Sequence, residues 1–243
     1  MAPMIPSTSQ PVPAWRSALV GALLLAACSR DRDASTVPPA GAPSPPAAQA
    51  EPAAAAPRIV VVGTSLTAGL GLADPSLAYP GLIQQKIDSA GLHYRVVNAG
   101  VSGETSAGAL RRIDWVLKEP AAMVLVETGA NDGLRGLDPD TLAANLHAIL
   151  ARIRQQSPAP SVVLVGMRAL PNMGAAYVRR FEAVYPAVAK AEGVPFVPFL
   201  LDGVAGIERL NQADGVHPTP EGQRIAAANV WRILGPLLGA AVR

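Results

Sequence analysis

A serine, an asparagine and an aspartate–histidine pair stand out because each follows an apolar run. Ser65 comes soon after residues 59–62, Asn131 follows a second such run, and Asp214 and His217 lie three positions apart near the end of the chain. Short apolar runs next to glycine are typical of buried strands. Open parallel sheets bind their ligands at the carboxyl ends of strands, so we expect these side chains to meet at one edge.

These residue types are the components of acyl transfer. A serine hydroxyl is a weak nucleophile and needs a base within hydrogen-bond reach, a role that the imidazole of His217 suits. Asp214 can bind the other ring nitrogen and fix its tautomer. An oxyanion needs donors already in place, which we expect from the N–H groups of Ser65 and Gly100 and the amide of Asn131. The sequence therefore predicts Ser65, Asp214 and His217 as a catalytic triad.

Alternating strand-like and helix-like segments predict the elements that position these residues. The expected strands are 59–62, 94–98, 123–127, 162–165 and 195–199. The expected helices are 75–89, 105–118, one that starts at 138, 175–191 and 219–238. Nearly continuous apolar strands between amphipathic helices indicate a parallel sheet that is covered on both faces. We predict an α/β fold with three layers, α/β/α, around a five-stranded parallel sheet.

The amino-terminal region lies outside this pattern. Arg16 precedes the apolar run 18–27, which is too short to span a bilayer but suits the apolar part of a signal peptide. The run ends in Leu25-Ala26-Ala27-Cys28, which resembles the lipobox of bacterial lipoproteins, whose cysteine is lipidated. Cys28 is the only cysteine, so no intrachain disulfide is expected. We expect a signal peptide with a lipobox over residues 1–28.

Residues 29–57 are rich in Pro, Ala and Ser and show no periodic apolar pattern. Such a composition predicts a disordered tether between the anchor on Cys28 and a folded domain over residues 58–243. Ser29, where some lipoproteins have Asp, resembles the lipoproteins that are sorted to the outer membrane. We therefore expect an exported, periplasmic or cell-envelope lipoprotein that is held to a membrane through Cys28.

Composition narrows the classes of partner. Half of the residues are apolar, the formal net charge is +2, and no Lys/Arg block interleaved with aromatic residues is present, so we expect no nucleic-acid partner. Three histidines and one cysteine leave a metal site short of ligands, so we expect neither a metal nor a cofactor. Among the histidines, His93 precedes a strand and His147 lies off the apolar stripe of its helix. We expect a monomer.

Four sequence blocks, in the order Ser, Gly, Asn, His, resemble those of the SGNH, or GDSL, hydrolases. They are Gly63-Thr64-Ser65-Leu66, Gly100, Gly129-Ala130-Asn131-Asp132 and Asp214-Gly215-Val216-His217. The segments that follow Asn131 and Pro171 are most similar to the bacterial acyl-CoA thioesterase I, lysophospholipase and arylesterase group. The resemblance implies a flavodoxin-like SGNH fold and a serine esterase that hydrolyses small acyl esters, thioesters or lysophospholipids through an acyl-enzyme.

One residue departs from the family's pattern. Thr64 stands where these hydrolases usually have an Asp directly before the nucleophile. That Asp is generally not a member of the triad, and a Thr hydroxyl can still form local hydrogen bonds. We expect the mechanism to survive, with the support of the Ser65 loop as the open point.

Further expectations concern the substrate. We expect Leu134 and Arg135, in a segment bracketed by glycines, to form a lid over the acyl site. We expect Pro171 and Asn172 to wall the acyl pocket. Arg168 suits either an anionic head group or a carboxylate at the surface. Two other readings stay open: a carbohydrate O-acetylesterase of the same fold, and a non-catalytic lipoprotein that binds flavin in the flavodoxin manner.

Overall fold

The computed structural model describes residues 55–241, so the predicted signal peptide, its lipobox and most of the predicted tether lie outside the described part. Within it, parallel strands form a sheet in the order β2-β1-β3-β4-β5. The strands are β1 (Arg58–Gly63), β2 (Arg95–Gly100), β3 (Met123–Glu127), β4 (Ser161–Val165) and β5 (Phe196–Val197). The predicted five-stranded parallel sheet is thereby confirmed.

Helices connect successive strands and cover the sheet. They are α1 (Ser65–Ala68), α2 (Tyr79–Ser89), α3 (Ser106–Val116), α4 (Ala130–Leu134), α5 (Pro139–Arg154), α6 (Ala175–Glu192) and α7 (Pro220–Ala241). Helix α5 packs between α3 and α6, and α2 packs against α7. This arrangement is the predicted α/β/α fold.

The core forms where the apolar strands meet the apolar helix faces. Residues 59–62 of β1 and 124–126 of β3 are fully buried, as expected for central strands that are covered on both sides. Leu146, Ile149 and Ile153 lie at helical spacing on α5 and are also fully buried. Asp138 caps this helix by accepting a hydrogen bond from the Asp140 N–H at 3.2 Å.

Proline accounts for two differences from the predicted elements. Strand β5 pairs over only two residues rather than 195–199, because Pro195 and Pro198 on either side lack the N–H that a ladder needs. The helix predicted over 75–89 is a 3₁₀ turn, Pro75–Leu77, followed by α2. Ala78, between them, is extended and forms the N-cap of α2, whose second residue is Pro80.

The sequence pattern gave no sign of α1 and α4, which have only four and five residues. Helices this short show no apolar periodicity, so a pattern of i, i+3 and i+4 spacing misses them. Each begins within three residues of a strand's carboxyl end, and their first turns carry Ser65 and Asn131. These two short helices therefore fix where the candidate site residues lie.

The packing predicts that truncating Ile149 destabilises the domain. Ile149→Ala removes three methyl or methylene groups from a fully buried position, so we expect a loss of about 2 to 5 kcal/mol in the free energy of unfolding. Trp115→Ala is a control on a side chain that is 68% exposed, with an expected change below about 0.5 kcal/mol. Urea denaturation followed by circular dichroism measures both, and equal losses would contradict the described core.

Candidate active site

The turn that carries Ser65, residues 63–67, lies tightly against the sheet. Gly63 pairs with Gly100 across β1 and β2, at the carboxyl ends of both strands. A Cβ on Gly63 would lie 1.8 Å from the Thr67 Oγ1, and a Cβ on Gly100 would lie 2.3 Å from the Ala68 nitrogen. Larger residues at either position would push α1 off the strands. This close approach places Ser65 at the rim of the sheet, where it is 8% exposed.

The buried carboxylate of Glu127, at the end of β3, is hydrogen-bonded to the turn that carries Ser65. It accepts hydrogen bonds from the Thr64 N–H at 2.8 Å, the Thr64 hydroxyl at 3.0 Å and the Thr67 hydroxyl at 2.7 Å. The Thr67 hydroxyl also lies 2.7 Å from the Tyr79 hydroxyl. Thr64, the residue that departs from the family's pattern, therefore donates hydrogen bonds to Glu127. Ser65 lies between Thr64 and Thr67, the two threonines that are bonded to Glu127.

The side chains of Ser65, His217 and Asp214 form a continuous hydrogen-bonded chain. The Ser65 Oγ lies 2.8 Å from the His217 Nε2, and the His217 Nδ1 lies 2.6 Å from the Asp214 Oδ2. The neutral imidazole with its proton on Nδ1 donates to the carboxylate and leaves Nε2 to accept from the hydroxyl. The three residues predicted as a triad are therefore brought together, from loops that are about 150 residues apart in sequence.

The loop between β5 and α7 orients Asp214 towards the imidazole. The other oxygen of Asp214, Oδ1, accepts hydrogen bonds from the N–H groups of Val216 at 2.9 Å and His217 at 3.0 Å, which folds the loop into a tight turn. The backbone N–H and the ring of His217, together with the Val216 N–H, lower the pKa of Asp214 to about 2. Asp214 is therefore ionised at neutral pH, as a partner for an imidazolium must be.

Asn131 and Gly103 line the cavity beside this chain, whereas Gly100 does not. The Asn131 Nδ2 donates to the Glu104 carbonyl at 3.0 Å, and Asn131 lines the same cavity as Ser65 and His217. The Gly100 N–H already donates to the Asn98 Oδ1 at 2.9 Å, and Gly100 does not line this cavity. Gly100 lets α1 approach β2 closely, and these contacts do not support its predicted role as an oxyanion donor.

Gly103 has the properties that the donor position requires. It lines the cavity with Ser65 and Asn131, and its φ of +76° is one that glycine adopts without strain. Within the described part of the chain, neither the Gly103 N–H nor the Ser65 N–H donates a hydrogen bond. The sequence block offered two glycines, Gly100 and Gly103, and only the path of the backbone after β2 distinguishes them.

A cavity of about 790 Å³ opens from Ser65 and His217. Most of its wall is apolar, and the apolar lining residues include Leu66, Leu70, Leu134, Met167, Ala169, Leu170, Pro171, Val178, Phe199 and Leu201. At its edge the guanidinium carbon of Arg168 lies 4.6 Å from the centre of the Phe199 ring. A space of this size and polarity suits an acyl chain.

The expected substrate contacts divide into two groups. Leu134 and Pro171 line the cavity, whereas Arg135 and Asn172 do not. Arg135 lies over the neighbouring turn, where its Nη2 donates to the Gly103 carbonyl at 2.9 Å. The predicted lid, residues 133–136, consists of the end of α4 and a hydrogen-bonded turn, because the Gly136 N–H donates to the Gly133 carbonyl at 3.2 Å.

The other ionisable groups that the sequence singled out lie apart from this chain. Asp132 is buried and accepts hydrogen bonds from the N–H and hydroxyl of Ser106, which joins α4 to α3. The His147 ring pairs with Glu192 on α6, and His93 is exposed ahead of β2. Within residues 55–241, no cluster of three or more His, Cys, Asp or Glu side chains is arranged to hold a metal ion.

Together, a Ser–His–Asp chain and adjacent N–H donors at the carboxyl edge of a parallel sheet are the features of a serine hydrolase with an α/β/α fold. The model of the GDSL-like Lipase/Acylhydrolase family matches residues 61–225. The chain belongs to this family.

Relatives with established names agree with this assignment. Esterase TesA of Pseudomonas aeruginosa is 44% identical over 186 residues, which cover 76% of this chain and 91% of that protein. Thioesterase 1/protease 1/lysophospholipase L1 of Escherichia coli K12 is 37% identical and is covered over 87% of its length, with 76% of this chain. The structure of the psychrotrophic esterase EstA from Pseudoalteromonas sp., inhibited by monoethylphosphonate, superposes with a TM-score of 0.69 at 30% identity, covering 75% of this chain and 98% of that one. The chain is an ester-hydrolysing enzyme.

The environment of Glu127 predicts a stability that depends on pH. Burial raises the pKa of Glu127 from 4.5 to about 7, against the effect of the hydrogen bonds from Thr64 and Thr67. Between these two pH values the unfolded chain loses this proton while the folded protein keeps it. The free energy of unfolding should therefore fall by roughly 3 kcal/mol as pH rises from 4.5 through 7, and then level off.

Urea denaturation between pH 4.5 and 8.5 measures this dependence. Glu127→Gln cannot titrate at this position, so its free energy of unfolding should not show the fall between pH 4.5 and 7 that comes from Glu127. This holds whether the variant is more or less stable than the wild type at any one pH. Glu119→Gln is a matched control because the Glu119 side chain is 72% exposed, and it should keep the slope of the wild type. A wild type and a Glu127→Gln variant with parallel pH curves would contradict the described environment.

Proposed function

We propose that Ser65 is the nucleophile of this esterase, with His217 as its base and Asp214 as the orienting carboxylate. The 2.8 Å separation between the Ser65 Oγ and the His217 Nε2, at the mouth of an apolar cavity, is the observation that carries the proposal. As the Oγ attacks the substrate carbonyl carbon, its proton passes to Nε2. The ionised Asp214, at 2.6 Å from Nδ1, stabilises the imidazolium that forms.

The tetrahedral intermediate carries an oxyanion that needs donors. We assign this role to the N–H groups of Ser65 and Gly103 and to the Asn131 Nδ2, because all three residues line the same cavity and the two backbone groups have no acceptor among the described residues. Collapse of the intermediate expels the leaving group, which takes the proton from His217. Water, activated by the same imidazole, then hydrolyses the acyl-Ser65 ester and restores the serine.

The apolar cavity favours esters with a longer acyl chain over acetyl esters. Its lining of leucine, methionine, valine and phenylalanine side chains removes hydrocarbon from water, whereas an acetyl group would leave most of the space unfilled. The relatives' names include esterase, thioesterase and lysophospholipase, and we propose carboxylic esters and thioesters of this kind as substrates. Arg135 and Asn172 lie outside the cavity lining, so we assign them no contact with the acyl chain.

We propose that the enzyme acts in the cell envelope, tethered through residues 29–57 to a lipid anchor on Cys28. The sequence Leu25-Ala26-Ala27-Cys28 after an apolar run supports this proposal. Within the described residues, no helix combines the length and apolar character needed to cross a bilayer. More than one acyl chain on Cys28 would make the anchoring stable, because a single chain gives only reversible binding.

Two substitutions test the proposed mechanism. Ser65→Ala should reduce hydrolysis of p-nitrophenyl octanoate to background, and Asn131→Ala should lower kcat by about a hundredfold or more, as loss of an oxyanion donor does. Asn145→Ala, on α5, is the control: its Nδ2 donates to the Ser106 Oγ at 2.9 Å, outside the cavity, so its kcat should stay near that of the wild type.

Circular dichroism confirms that each variant is folded, and wild-type turnover in folded Ser65→Ala would refute the assignment. The same assay with p-nitrophenyl acetate separates this proposal from a carbohydrate O-acetylesterase. We expect kcat/KM to be higher for octanoate than for acetate. A preference for acetate would favour the O-acetylesterase.

The anchor makes a separate prediction. When the full-length protein is expressed in a bacterium that processes lipoproteins, it should fractionate with membranes and incorporate labelled fatty acid. Cys28→Ser should abolish the label, because Cys28 is the only cysteine. Ser29→Ala leaves the thiol intact and should keep the label. A labelled Cys28→Ser protein would contradict the proposed lipidation.

A further inference from the structure

Large apolar side chains that are exposed to solvent are concentrated in the segments that follow the strands, and three of them, Leu70, Leu134 and Leu170, line the cavity. Among the residues that the structure describes, seven large apolar side chains are at least 40% exposed. Six of them lie in the segments that follow the carboxyl ends of the strands, five in loops and one at the end of α4, and we call these six the apolar rim: Leu70, Val101, Leu134, Leu137, Leu170 and Ile207. The seventh, Trp115, lies on α3.

Every strand contributes to the apolar rim. Leu70 follows β1, Val101 follows β2, Leu170 follows β4 and Ile207 follows β5, while the connection between β3 and α5 supplies two leucines. Random exposure of single apolar residues is ordinary in soluble proteins. Their concentration at one edge, with one or two from each loop, is the pattern of an interaction surface.

Contacts between the loops make this surface continuous. The Gln212 Nε2 donates to the Leu70 carbonyl at 2.8 Å, which joins the loop after β1 to the loop after β5. Arg135 donates to the Gly103 carbonyl at 2.9 Å, which joins the loops after β2 and β3. The Met173 Cε lies 3.1 Å from the position of a Cβ on Gly136, so the loops after β3 and β4 also touch.

We propose that the apolar rim docks on the surface of a phospholipid bilayer, so that the cavity of the esterase opens onto lipid. Six exposed aliphatic side chains in the segments after the strands, three of which line the cavity, can enter the boundary between headgroups and acyl chains, as the apolar faces of interfacial proteins do. Arg135 and Arg168 are exposed beside the rim, and their long side chains can reach phosphate groups while the leucines enter the apolar layer.

The position of the predicted anchor favours a bilayer over a protein partner, and in this respect the inference rests on the proposed function. Only residues 29–54 separate Cys28 from the described domain. They join it ahead of Arg58, at the amino end of β1, and the cavity lies at the opposite edge of the sheet.

The tether is long enough for the rim to reach the anchoring membrane. A domain of about 190 residues has a radius of gyration of about 16 Å, so the path half-way around it is about 65 Å. A Pro-rich segment of 26 residues spans up to about 80 Å at roughly 3.1 Å per residue. A bilayer is therefore within reach of both Cys28 and the rim at once.

Docking of this kind defines how the substrate reaches Ser65. An ester in the bilayer could pass into the cavity without crossing water, so the class of substrate would be membrane-borne acyl esters such as lysophospholipids. A soluble ester would enter the same cavity with no need for the rim. Rim residues that do not line the cavity, such as Leu137 and Ile207, would therefore affect hydrolysis of lipid in vesicles and leave hydrolysis of short soluble esters unchanged.

Binding to vesicles without an anchor tests the proposal. Chain 29–243 lacks both Cys28 and the apolar run 18–27, and it keeps residues 55–241, which contain the whole described sheet and the apolar core around it. We expect it to sediment with phosphatidylcholine vesicles. Leu137→Ser combined with Ile207→Ser should weaken this binding by about tenfold or more, since both side chains leave water on docking.

Two controls make the outcome specific. Trp115→Ser removes the exposed aromatic residue outside the rim, and it should bind vesicles as the parent does. The Leu137→Ser/Ile207→Ser variant should keep the parent's kcat/KM for p-nitrophenyl acetate, because neither residue lines the cavity. It should lose activity towards lysophosphatidylcholine presented in vesicles.

The proposal is overturned if chain 29–243 does not sediment, if the double variant binds as tightly as the parent, or if Trp115→Ser weakens binding to the same extent. Loss of soluble-ester activity in the folded double variant would also overturn it, because the rim would then serve the active site. Ser65→Ala separates the two proposals. It should bind vesicles as the parent does, even if a different residue proves to be the nucleophile.

Discussion

A buried carboxylate at the end of a central strand holds the active-site turn in place. Glu127 is the last residue of β3 and is fully buried, and it accepts hydrogen bonds from the backbone of Thr64 and from two hydroxyls. A buried carboxylate without hydrogen-bond partners would strongly destabilise the fold. Movement of these donors away from Glu127 is therefore energetically costly. The two threonines flank Ser65 and Leu66, and the position of the Ser65 Oγ therefore depends on a residue from another strand.

The remaining parts of the site follow from that fixed point. With Ser65 at the edge of the sheet, the loop before α7 needs only to bring His217 within 2.8 Å of it, and the hydrogen bonds of Asp214 to its own loop set the orientation of the ring. The loops that carry Gly103 and Asn131 complete the opening of the cavity. The segments after the strands also carry the apolar rim, so one edge of the sheet supplies the proposed nucleophile, the apolar cavity and the proposed membrane contact.

The sequence predicts those features that follow from strand order and misses those that depend on the path of the backbone within a loop. Apolar runs located the strands, and the rule that strand ends meet at one edge brought together Ser65, Asn131, Asp214 and His217. It could not distinguish Gly100, the last residue of β2, from Gly103 in the loop after it, because only their hydrogen bonds and their positions relative to the cavity differ. Glu127 was missed as well, although a single acid at the end of an apolar strand is a signal that a buried partner must exist.

The central claim is that Ser65, held by Glu127, is the reacting nucleophile, and covalent labelling tests it most directly. The folded protein is treated with a fluorophosphonate, and the product is analysed by intact mass and peptide mapping. The account predicts one phosphonyl group, on the Ser65 Oγ, and slower adduct formation in Glu127→Ala that is still folded. An unlabelled folded wild type, or an adduct on a different residue, would contradict it.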